Sequence, residues 1–214
     1  MKIIILEGVD NLGKSTVARA LADFYAKEGY GVVSIHCVAK TDFDRLARDI
    51  CEMESNEYRS VENGSFKNET LLILDRSWKD EYVYGPIYRR KTKGEMIRRI
   101  HDIVVPIRKI PVDWRANIYE ILLESDPDFA IGNDDDKSYY SGMEYDDKVN
   151  RVEYEMSMFR EAMSVNEFFL DGDHKINVKV DHDRKFRPLS DITGQITGQI
   201  KFKKLQDDTV SRTA

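Results

Sequence analysis

A chain of 214 residues has room for one domain with at most a small appendage, and its 41% of hydrophobic residues can build a sizeable core. The net charge of −6 argues against a broad nucleic-acid-binding face, and no apolar run is long enough to span a bilayer. Nothing in the first residues predicts a signal peptide, and two cysteines are too few for a disulfide framework. We therefore expect a cytoplasmic protein in which Cys37 and Cys51 are buried thiols.

The first sixteen residues carry the strongest signal in the chain. Ile3–Leu6 is a short apolar run that predicts a buried strand, and Lys14–Lys27 has apolar residues at helical spacing. Between them, Gly8–Ser15 matches the pattern G-x-x-x-x-G-K-S/T. A strand, a glycine loop and a helix in this order are the context that a phosphate-binding loop requires. The plainer alternative is a glycine-rich turn that happens to precede Lys-Ser.

The residue types in this loop suit a bound polyphosphate. Gly8 and Gly13 allow the chain to approach an anion closely, and the N–H groups of the loop face it together with the helix N-terminus. Lys14 can reach the β- and γ-phosphates, and the hydroxyl of Ser15 can bind Mg²⁺. The residues predicted to bind the nucleotide are Gly8, Asn11, Leu12, Gly13, Lys14, Ser15 and Thr16.

Strands and helices alternate along the rest of the chain. Apolar runs predict further strands at 31–36, 71–74, 118–123 and 175–181, the last one alternating as an edge strand does. Amphipathic spacing predicts helices at 14–27, 41–53, 79–88, 93–105 and 147–163 and from Leu189 onward. Pro106 and Pro111 are expected to break the chain after the fourth helix, and 54–68 to form a loop or a short extra helix. This order predicts a three-layer α/β fold of the P-loop NTPase class, with a five-stranded, largely parallel sheet flanked by helices.

Two polar stretches are expected to lie outside this framework. The acidic, tyrosine-rich stretch 134–147 has no apolar period and predicts a mobile loop, which is a candidate lid. The tail 203–214 is polar and expected to fray, so the domain itself is predicted to cover residues 1–202.

Charged side chains follow the predicted strands at the edge where ligands bind in open α/β sheets. Asp75 ends the third strand, where a carboxylate can support Mg²⁺ beside Ser15, and Arg76 suits bidentate contact with a phosphate. The plainer alternative is an ion pair at the strand end. Asp10 lies inside the glycine loop, where it would oppose a polyphosphate. It is therefore predicted either to meet a hydroxyl of a second substrate or to cap the helix.

Four stretches resemble motifs of the thymidylate kinases. Leu6–Thr16 is similar to the first motif of that family and Leu74–Ser77 to the second, while Glu81–Arg89 resembles the nucleotide kinases of bacteriophages. Arg151–Glu155, followed by Phe159, is similar to the stretch where the lid of that family passes into the next helix. Together the resemblance covers most of residues 1–180.

The resemblance implies a kinase domain and a role for each matching residue. Asp10 would meet the sugar hydroxyl of the acceptor nucleoside, and Arg76 would hold the acceptor monophosphate. Arg151 would stabilise the transferring phosphoryl group as a lid arginine. The acceptor base would pack against aromatic side chains, although these serve as commonly in a core, and the candidates are Tyr82, Tyr84 and Tyr88. ATP, Mg²⁺ and a homodimer are further implications of the resemblance.

The chain departs from the pattern of that family in two places. The Glu-Pro-Gly-Gly stretch that usually follows the second strand is absent, and Val38–Thr41 stands there instead. The stretch 134–147 contains no arginine and only Lys137 as a basic residue, where many members have a basic lid. The resemblance therefore does not define the contacts to the acceptor base or the source of a lid cation.

Three hypotheses of function follow. The first is a nucleoside monophosphate kinase that transfers the γ-phosphoryl group of ATP·Mg²⁺ to a deoxynucleoside monophosphate, dTMP above all, with Lys14, Arg76 and Arg151 as catalytic residues. Its partner is a small nucleotide in the cytoplasm, which is the host cytoplasm if the source is a phage. The second is a P-loop kinase of a modified base or an end in DNA, whose groove would consist of Lys79, Arg89, Arg90, Lys91 and Lys93. The third is a nucleotide-dependent switch or ATP-binding accessory protein, which would hydrolyse ATP slowly without an acceptor.

Overall fold

A five-stranded parallel sheet forms the centre of the molecule. The computed structural model describes residues 1–38, 40–65, 67–108, 117–132, 140–164 and 174–202. The strands are β1 (Lys2–Glu7), β2 (Gly31–His36), β3 (Thr70–Asp75), β4 (Ile118–Glu124) and β5 (Lys175–Lys179), in the spatial order β2-β3-β1-β4-β5. Each neighbouring pair in this sheet is parallel. The α/β fold predicted from the sequence is thereby confirmed.

Helices flank this sheet. The described ranges contain α1 (Lys14–Lys27), α2 (Phe43–Glu62), α3 (Lys79–Tyr88), α4 (Lys93–Arg108), α5 (Pro127–Gly132), α6 (Tyr145–Ser164) and α7 (Leu189–Gln199). The bounds of α1 and α3 agree with the prediction, whereas α5 is not predicted. α4 continues past Pro106 to Arg108, so the break expected directly at that proline is wrong.

A buried carboxylate anchors the second half of α2. Oε1 of Glu57 accepts a hydrogen bond of 2.8 Å from the backbone N–H of Thr70, and Oε2 pairs with the N-terminal ammonium of Met1. These contacts join the helix to the starts of β1 and β3. The stretch 54–68 is therefore helical as far as Glu62, because tertiary contacts outweigh its weak apolar pattern.

The central strands are covered on both faces. Every residue of β1 is buried, and Ile4, Ile73 and Ile121 have no exposed surface. Continuous apolar runs such as Leu71–Leu74 are typical of parallel strands between two helical layers. In β5, buried and exposed residues alternate, which confirms the predicted edge strand.

A short antiparallel hairpin, not predicted from the sequence, follows β5. It consists of β6 (Asp181–His182) and β7 (Lys185–Phe186), so the fifth strand of the main sheet ends earlier than expected. Asp183 and Arg184 form the turn with left-handed φ angles of 50° and 58°. Turns of this kind usually contain glycine or asparagine, so an Asp-Arg pair does not predict a hairpin turn.

The candidate lid lies partly outside the described residues. Within 134–147 the structure describes 140–147, where Tyr140 is buried and Tyr145–Asp147 begin α6. Residues 134–139 and the tail 203–214 are not among the described ones, so the lid and the domain limit at 202 stay predictions. None of the helices in the described part of the chain is long and apolar enough to cross a membrane.

Candidate active site

The phosphate loop contains three residues with left-handed backbones. Gly8 and Gly13 have φ angles of 136° and 73°, and Asn11 has a φ of 65°. A Cβ atom at Gly8 would lie 2.5 Å from the carbonyl oxygen of Leu123, so a side chain is excluded there. The loop thus leaves β1, passes against β4 and turns directly into α1.

Lys14 folds back into the loop that precedes it. Its Nζ donates hydrogen bonds of 2.8 Å and 2.5 Å to the carbonyl oxygens of Gly8 and Val9, and it lies 3.9 Å from Asp10. The side chain is buried, and burial lowers the pKa of the ammonium, as does the nearby charge of Arg76. A buried amine in a glycine loop, at the N-terminus of a helix, is suited to contact phosphate oxygens.

Ser15 and Asp75 meet at one corner of the loop. Oγ of Ser15 donates a hydrogen bond of 2.5 Å to Oδ2 of Asp75, and Nδ1 of His36 lies 2.6 Å from the same oxygen. The other oxygen, Oδ1, is buried and has no hydrogen-bond partner among the described residues. A hydroxyl and a carboxylate with a spare oxygen are ligands that Mg²⁺ prefers, so both residues fit the predicted metal site. His36 is not predicted from the sequence, but the parallel register pairs it with Asp75 at the ends of β2 and β3.

Arg76 is held between two carboxylates. Its backbone is left-handed at a φ of 74°, and its N–H donates a hydrogen bond of 2.9 Å to the carbonyl oxygen of Leu6. Nη2 pairs with Oδ1 of Asp10, and Nη1 lies 3.3 Å from Oδ2 of Asp80. The structure thus brings the predicted residues Asp10 and Arg76 into direct contact. Asp80 is not predicted, although a position four residues after Arg76 is the usual spacing of a helical ion pair.

Two buried carboxyl groups lie beside this cluster. Oε1 of Glu7 accepts a hydrogen bond from the hydroxyl of Ser77, and Oε2 has no hydrogen-bond partner within the described ranges. Burial, and after it the charge of Asp80, raises the pKa of Glu7 to about 8. Burial also raises the pKa of Asp80 to about 6, although Arg76 and Lys14 counteract it. Glu7 therefore holds a proton at neutral pH, where an exposed carboxylate would have released it, and Asp80 ionises closer to neutrality than an exposed carboxylate does.

A narrow cleft, with an internal volume of about 30 Å³, opens beside Arg76. Its lining comes from the ends of β2 and β3, the start of α2 and one face along α3, and consists of Cys37, Val38, Phe43, Arg76, Asp80, Glu81, Tyr84, Tyr88 and Arg89. An arginine together with aromatic rings is what a nucleotide needs for its phosphate and its base. The charged part of this lining is mostly paired, because Arg89 bonds to Glu81 and Arg76 to Asp80.

The three candidate tyrosines do not share one environment. Tyr84 and Tyr88 line the cleft with ring centroids 5.9 Å apart, and the hydroxyl of Tyr84 is buried with no hydrogen-bond partner in the described structure. Tyr82 lies outside this lining, and its hydroxyl donates a hydrogen bond of 2.5 Å to Glu161 on α6. Positions 84 and 88 are one turn apart on α3, whereas position 82 faces another side of the helix. The expectation that Tyr82 packs against a base therefore has no support from its position.

Arg151 lies against a residue of the cleft. Its guanidinium carbon is 5.7 Å from the ring centroid of Tyr88. The hydroxyl of Tyr88 donates to Glu155, which also accepts a hydrogen bond of 2.7 Å from Tyr140, and burial raises the pKa of this carboxylate. Arg151 is thus close to the candidate acceptor site, and its role as a lid cation stays a prediction.

A second and larger cleft, of about 570 Å³, opens along the phosphate loop. It is lined by the loop, α1, the hairpin and the start of α7, that is by Asn11, Leu12, Gly13, Thr16, Val17, Phe186, Arg187, Leu189 and Ile192. Phe186 packs edge-to-face on Phe129, with ring centroids 4.6 Å apart, and remains 45% exposed. Arg187 donates to the carbonyl oxygen of Lys179 at 2.6 Å and to Gln195 at 3.0 Å. The phosphate loop therefore lines this cleft directly, and it contacts the lining of the first cleft through the Asp10–Arg76 pair.

The basic cluster considered for DNA does not form an open groove. Lys79 is fully buried and paired with Glu120, and Lys93 pairs with Glu161 at 2.8 Å. The guanidinium of Arg89 is paired with Glu81. Arg90 and Lys91 remain exposed with no ion pair in the described structure, so the cluster keeps only part of the positive charge that contact with a DNA backbone uses.

Known proteins resemble this chain in sequence as well as in geometry. No protein-family model matches it. A protein of Pyrococcus abyssi named "Probable thymidylate kinase" is 28% identical over 134 residues, which are 60% of this chain and 62% of that protein. A protein of Thermococcus onnurineus with the same name is 29% identical over 94 residues, which are 44% of this chain and 45% of that protein. Over these stretches the chain is similar in sequence to thymidylate kinases.

The likeness to thymidylate kinases of solved structure is one of fold. Thymidylate kinase from Ehrlichia chaffeensis has a TM-score of 0.50 and 12% identity, covering 94% of this chain and 98% of that one. The enzyme from Candida albicans has a TM-score of 0.50 and 16% identity, and the match covers 92% of this chain and 89% of that one. The YorR protein of Bacillus subtilis, crystallised in complex with phosphorylated GDP, has a TM-score of 0.51 and 20% identity. The match covers 92% of this chain and 94% of that one. In sequence, the chain spans 45% to 62% of the length of the two curated thymidylate kinases.

Proposed function

We propose that this protein is an ATP-dependent kinase of deoxynucleoside monophosphates and that dTMP is its acceptor. The observation that carries the proposal is that the phosphate loop lines the cleft beside Phe186 and pairs, through Asp10, with Arg76 in the other cleft. Phosphoryl transfer needs a donor and an acceptor that meet in line at one point. Both sequence relatives, from Thermococcus onnurineus and Pyrococcus abyssi, are named as probable thymidylate kinases, and this supports dTMP as the acceptor.

On the donor side, the loop N–H groups and Lys14 would hold the phosphates of ATP, and the base would lie beside Phe186. Lys14 now bonds to two neutral carbonyl oxygens. Phosphate oxygens would replace them in stronger, charge-assisted hydrogen bonds. Ser15 and the spare oxygen of Asp75 would hold Mg²⁺, whose charge stabilises the phosphates during transfer.

On the acceptor side, Arg76 would hold the monophosphate with its planar fork of donors. Asp10 would then exchange its pairing with Arg76 for a hydroxyl of the sugar. The unpartnered hydroxyl of Tyr84 is a buried group that an acceptor can satisfy, and the rings of Tyr84 and Tyr88 offer a surface for the base. Arg151, beside Tyr88, would supply the lid cation for the transferring group.

A panel of nucleoside monophosphates, each assayed with ATP and Mg²⁺, tests this proposal. We expect formation of ADP and a nucleoside diphosphate, with dTMP giving the highest kcat/KM. Slow ATP hydrolysis that no monophosphate stimulates would instead favour a nucleotide-dependent switch. Label transfer from ATP into DNA, without transfer to any free monophosphate, would favour the polymer kinase.

The resemblance also supports a cellular setting for this activity. We infer a homodimer that acts on free nucleotides in the cytoplasm, which is the host cytoplasm if the protein is of phage origin. Sedimentation of the purified protein tests the dimer directly, since a monomer at micromolar concentration would contradict it.

A further inference from the structure

Two carboxylates flank the guanidinium of Arg76, where the acceptor phosphate would bind, and its Nε has no hydrogen-bond partner in the described structure. Both Nη atoms of the guanidinium engage carboxylates, Asp10 on one side and Asp80 on the other. A nucleoside monophosphate carries a charge of about −1.5 to −2 at pH 7, as other phosphate monoesters do. It would have to approach Arg76 between two groups of its own sign.

The charges that face Asp80 come from four parts of the fold. Arg76 and Lys14 are the cations, from the turn after β3 and from α1, while Asp10 in the phosphate loop and Glu7 at the end of β1 are acidic. The phenol of Tyr84, one turn further along α3, is buried beside them, and burial raises its pKa. Release of Asp10 toward a sugar hydroxyl would still leave Asp80 against the incoming phosphate.

The two oxygens of Asp80 have different surroundings. Oδ2 faces Arg76, whereas Oδ1 is buried and has no hydrogen-bond partner in the described part of the chain. An unbonded carboxylate oxygen away from water is a costly arrangement for the ionised form. The protonated form would instead have an O–H group to donate, and it would not repel a phosphate. The pKa of Asp80, raised by burial to about 6, agrees with this reading.

We propose that Asp80 is a proton-dependent gate for the acceptor phosphate. The carboxyl group takes up one proton from solvent when the monophosphate binds Arg76, donates a hydrogen bond to it, and returns the proton when the product leaves. This inference rests on the proposed function. Asp80 is thus a positioning residue that sets how tightly, and at which pH, the acceptor is held.

Calorimetry of dTMP binding tests the gate. We measure wild type at pH 7.5 in two buffers of different ionisation enthalpy, which yields the number of protons exchanged. Wild type should take up about one proton, because the pKa of Asp80 rises from near 6 to well above the working pH on binding. Asp80→Asn should lose this uptake and bind dTMP about 100-fold more tightly at pH 8, since the amide needs no proton.

Matched controls separate the gate from other effects. Asp49→Asn makes the same charge change on an exposed part of α2 and should behave as wild type. Deoxythymidine, which lacks the phosphate, should bind without proton uptake. Between pH 7 and 8.5 the phosphate itself is already dianionic, so a steeper loss of affinity in wild type than in Asp80→Asn reports the carboxyl group.

The possible results separate a failure of the proton gate from a failure of the proposed kinase activity. Turnover of dTMP with no proton uptake by wild type would overturn the gate alone, even if Asp80→Asn fails to fold. Loss of the uptake in Glu7→Gln, with uptake kept in Asp80→Asn, would overturn it as well by assigning the proton to Glu7. Absence of both dTMP binding and turnover of any monophosphate would overturn the proposed function together with the gate.

Discussion

Lys14 shows how much one buried side chain contributes to the candidate site. Lys14→Ala should lower turnover by about 10²-fold or more, because no other group would neutralise the donor phosphates from inside the loop. The fold should persist, since the carbonyl oxygens of Gly8 and Val9 can bond to water in the space left. Steady-state kinetics and circular dichroism check both statements. Lys27→Ala, in the exposed last turn of α1, is the matched control. Turnover within threefold of wild type would remove Lys14 from the donor site.

The contact proposed between Arg76 and the acceptor phosphate should require an arginine, and a lysine should not replace it. Arg76→Lys should lower kcat/KM for dTMP by about 10- to 100-fold, because a point charge cannot reproduce the bidentate fork. The KM for ATP should change little, and Asp10→Asn should have the same selective effect. Arg99→Lys serves as the control, because Arg99 forms an exposed ion pair with Asp44 at 2.9 Å. A rise in the KM for ATP alone would assign either residue to the donor side.

Glu7 should make the protein less stable as the pH rises. The pKa of Glu7 is raised by burial to about 8, from 4.5 for a free side chain, so the folded state binds the proton more tightly than the unfolded state. The free energy of unfolding therefore falls between pH 4.5 and 8, and Asp80 acts in the same direction. Glu7→Gln keeps an acceptor for Ser77 and should flatten this decline. Thermal unfolding of wild type and Glu7→Gln at pH 6 and pH 8.5 measures this decline. An equal loss of Tm between the two pH values in both proteins would show that Glu7 does not cause it.

At the scale of elements, the sequence predicts those units whose structure depends on neighbouring residues. The β1–loop–α1 unit follows from an apolar run, two glycines and helical spacing, all within Lys2–Lys27. The hairpin after β5 could not be predicted in this way. Its turn residues, Asp183 and Arg184, are unusual for left-handed angles, and it is held by a backbone hydrogen bond of 2.8 Å from Arg187 to Val180.

The hairpin leads to a prediction about the donor. Phe186→Ala should raise the KM for ATP about 5- to 100-fold, because stacking of a base on an aromatic ring contributes about 1–3 kcal/mol. The KM for dTMP should stay within twofold, since Phe186 lines only the cleft on the donor side. Phe24→Ala removes a ring of similar exposure from α1 and is the control. A larger change in the KM for dTMP than for ATP would place Phe186 on the acceptor side.

At the scale of the whole molecule, the strand order explains why the candidate residues lie together but not how they pair. Parallel strands bring Gly8, Asp75 and Arg76 to one edge of the sheet, and the sequence predicts this edge. It does not predict that Asp80 holds Arg76, or that Tyr82 turns away to α6, because both depend on the direction of side chains on α3. Pairing across elements is a tertiary property that residue spacing alone does not determine.

The charge distribution along α3 and α4 favours a free nucleotide over DNA as the acceptor. Lys79 is buried against Glu120, and Lys93 is paired with Glu161, so two of the five cations of the predicted groove are already neutralised. The KM for dTMP should therefore change less than about fivefold between 50 and 200 mM salt, because a single phosphate releases few counterions. Several backbone contacts to DNA would lose about 10³ in affinity over the same range. Kinetics at four salt concentrations, with potassium chloride and potassium glutamate compared as a control for the anion, measure this slope. A steep fall for dTMP, or phosphorylation of DNA that disappears with salt, would move the acceptor from a closed site to an extended basic surface.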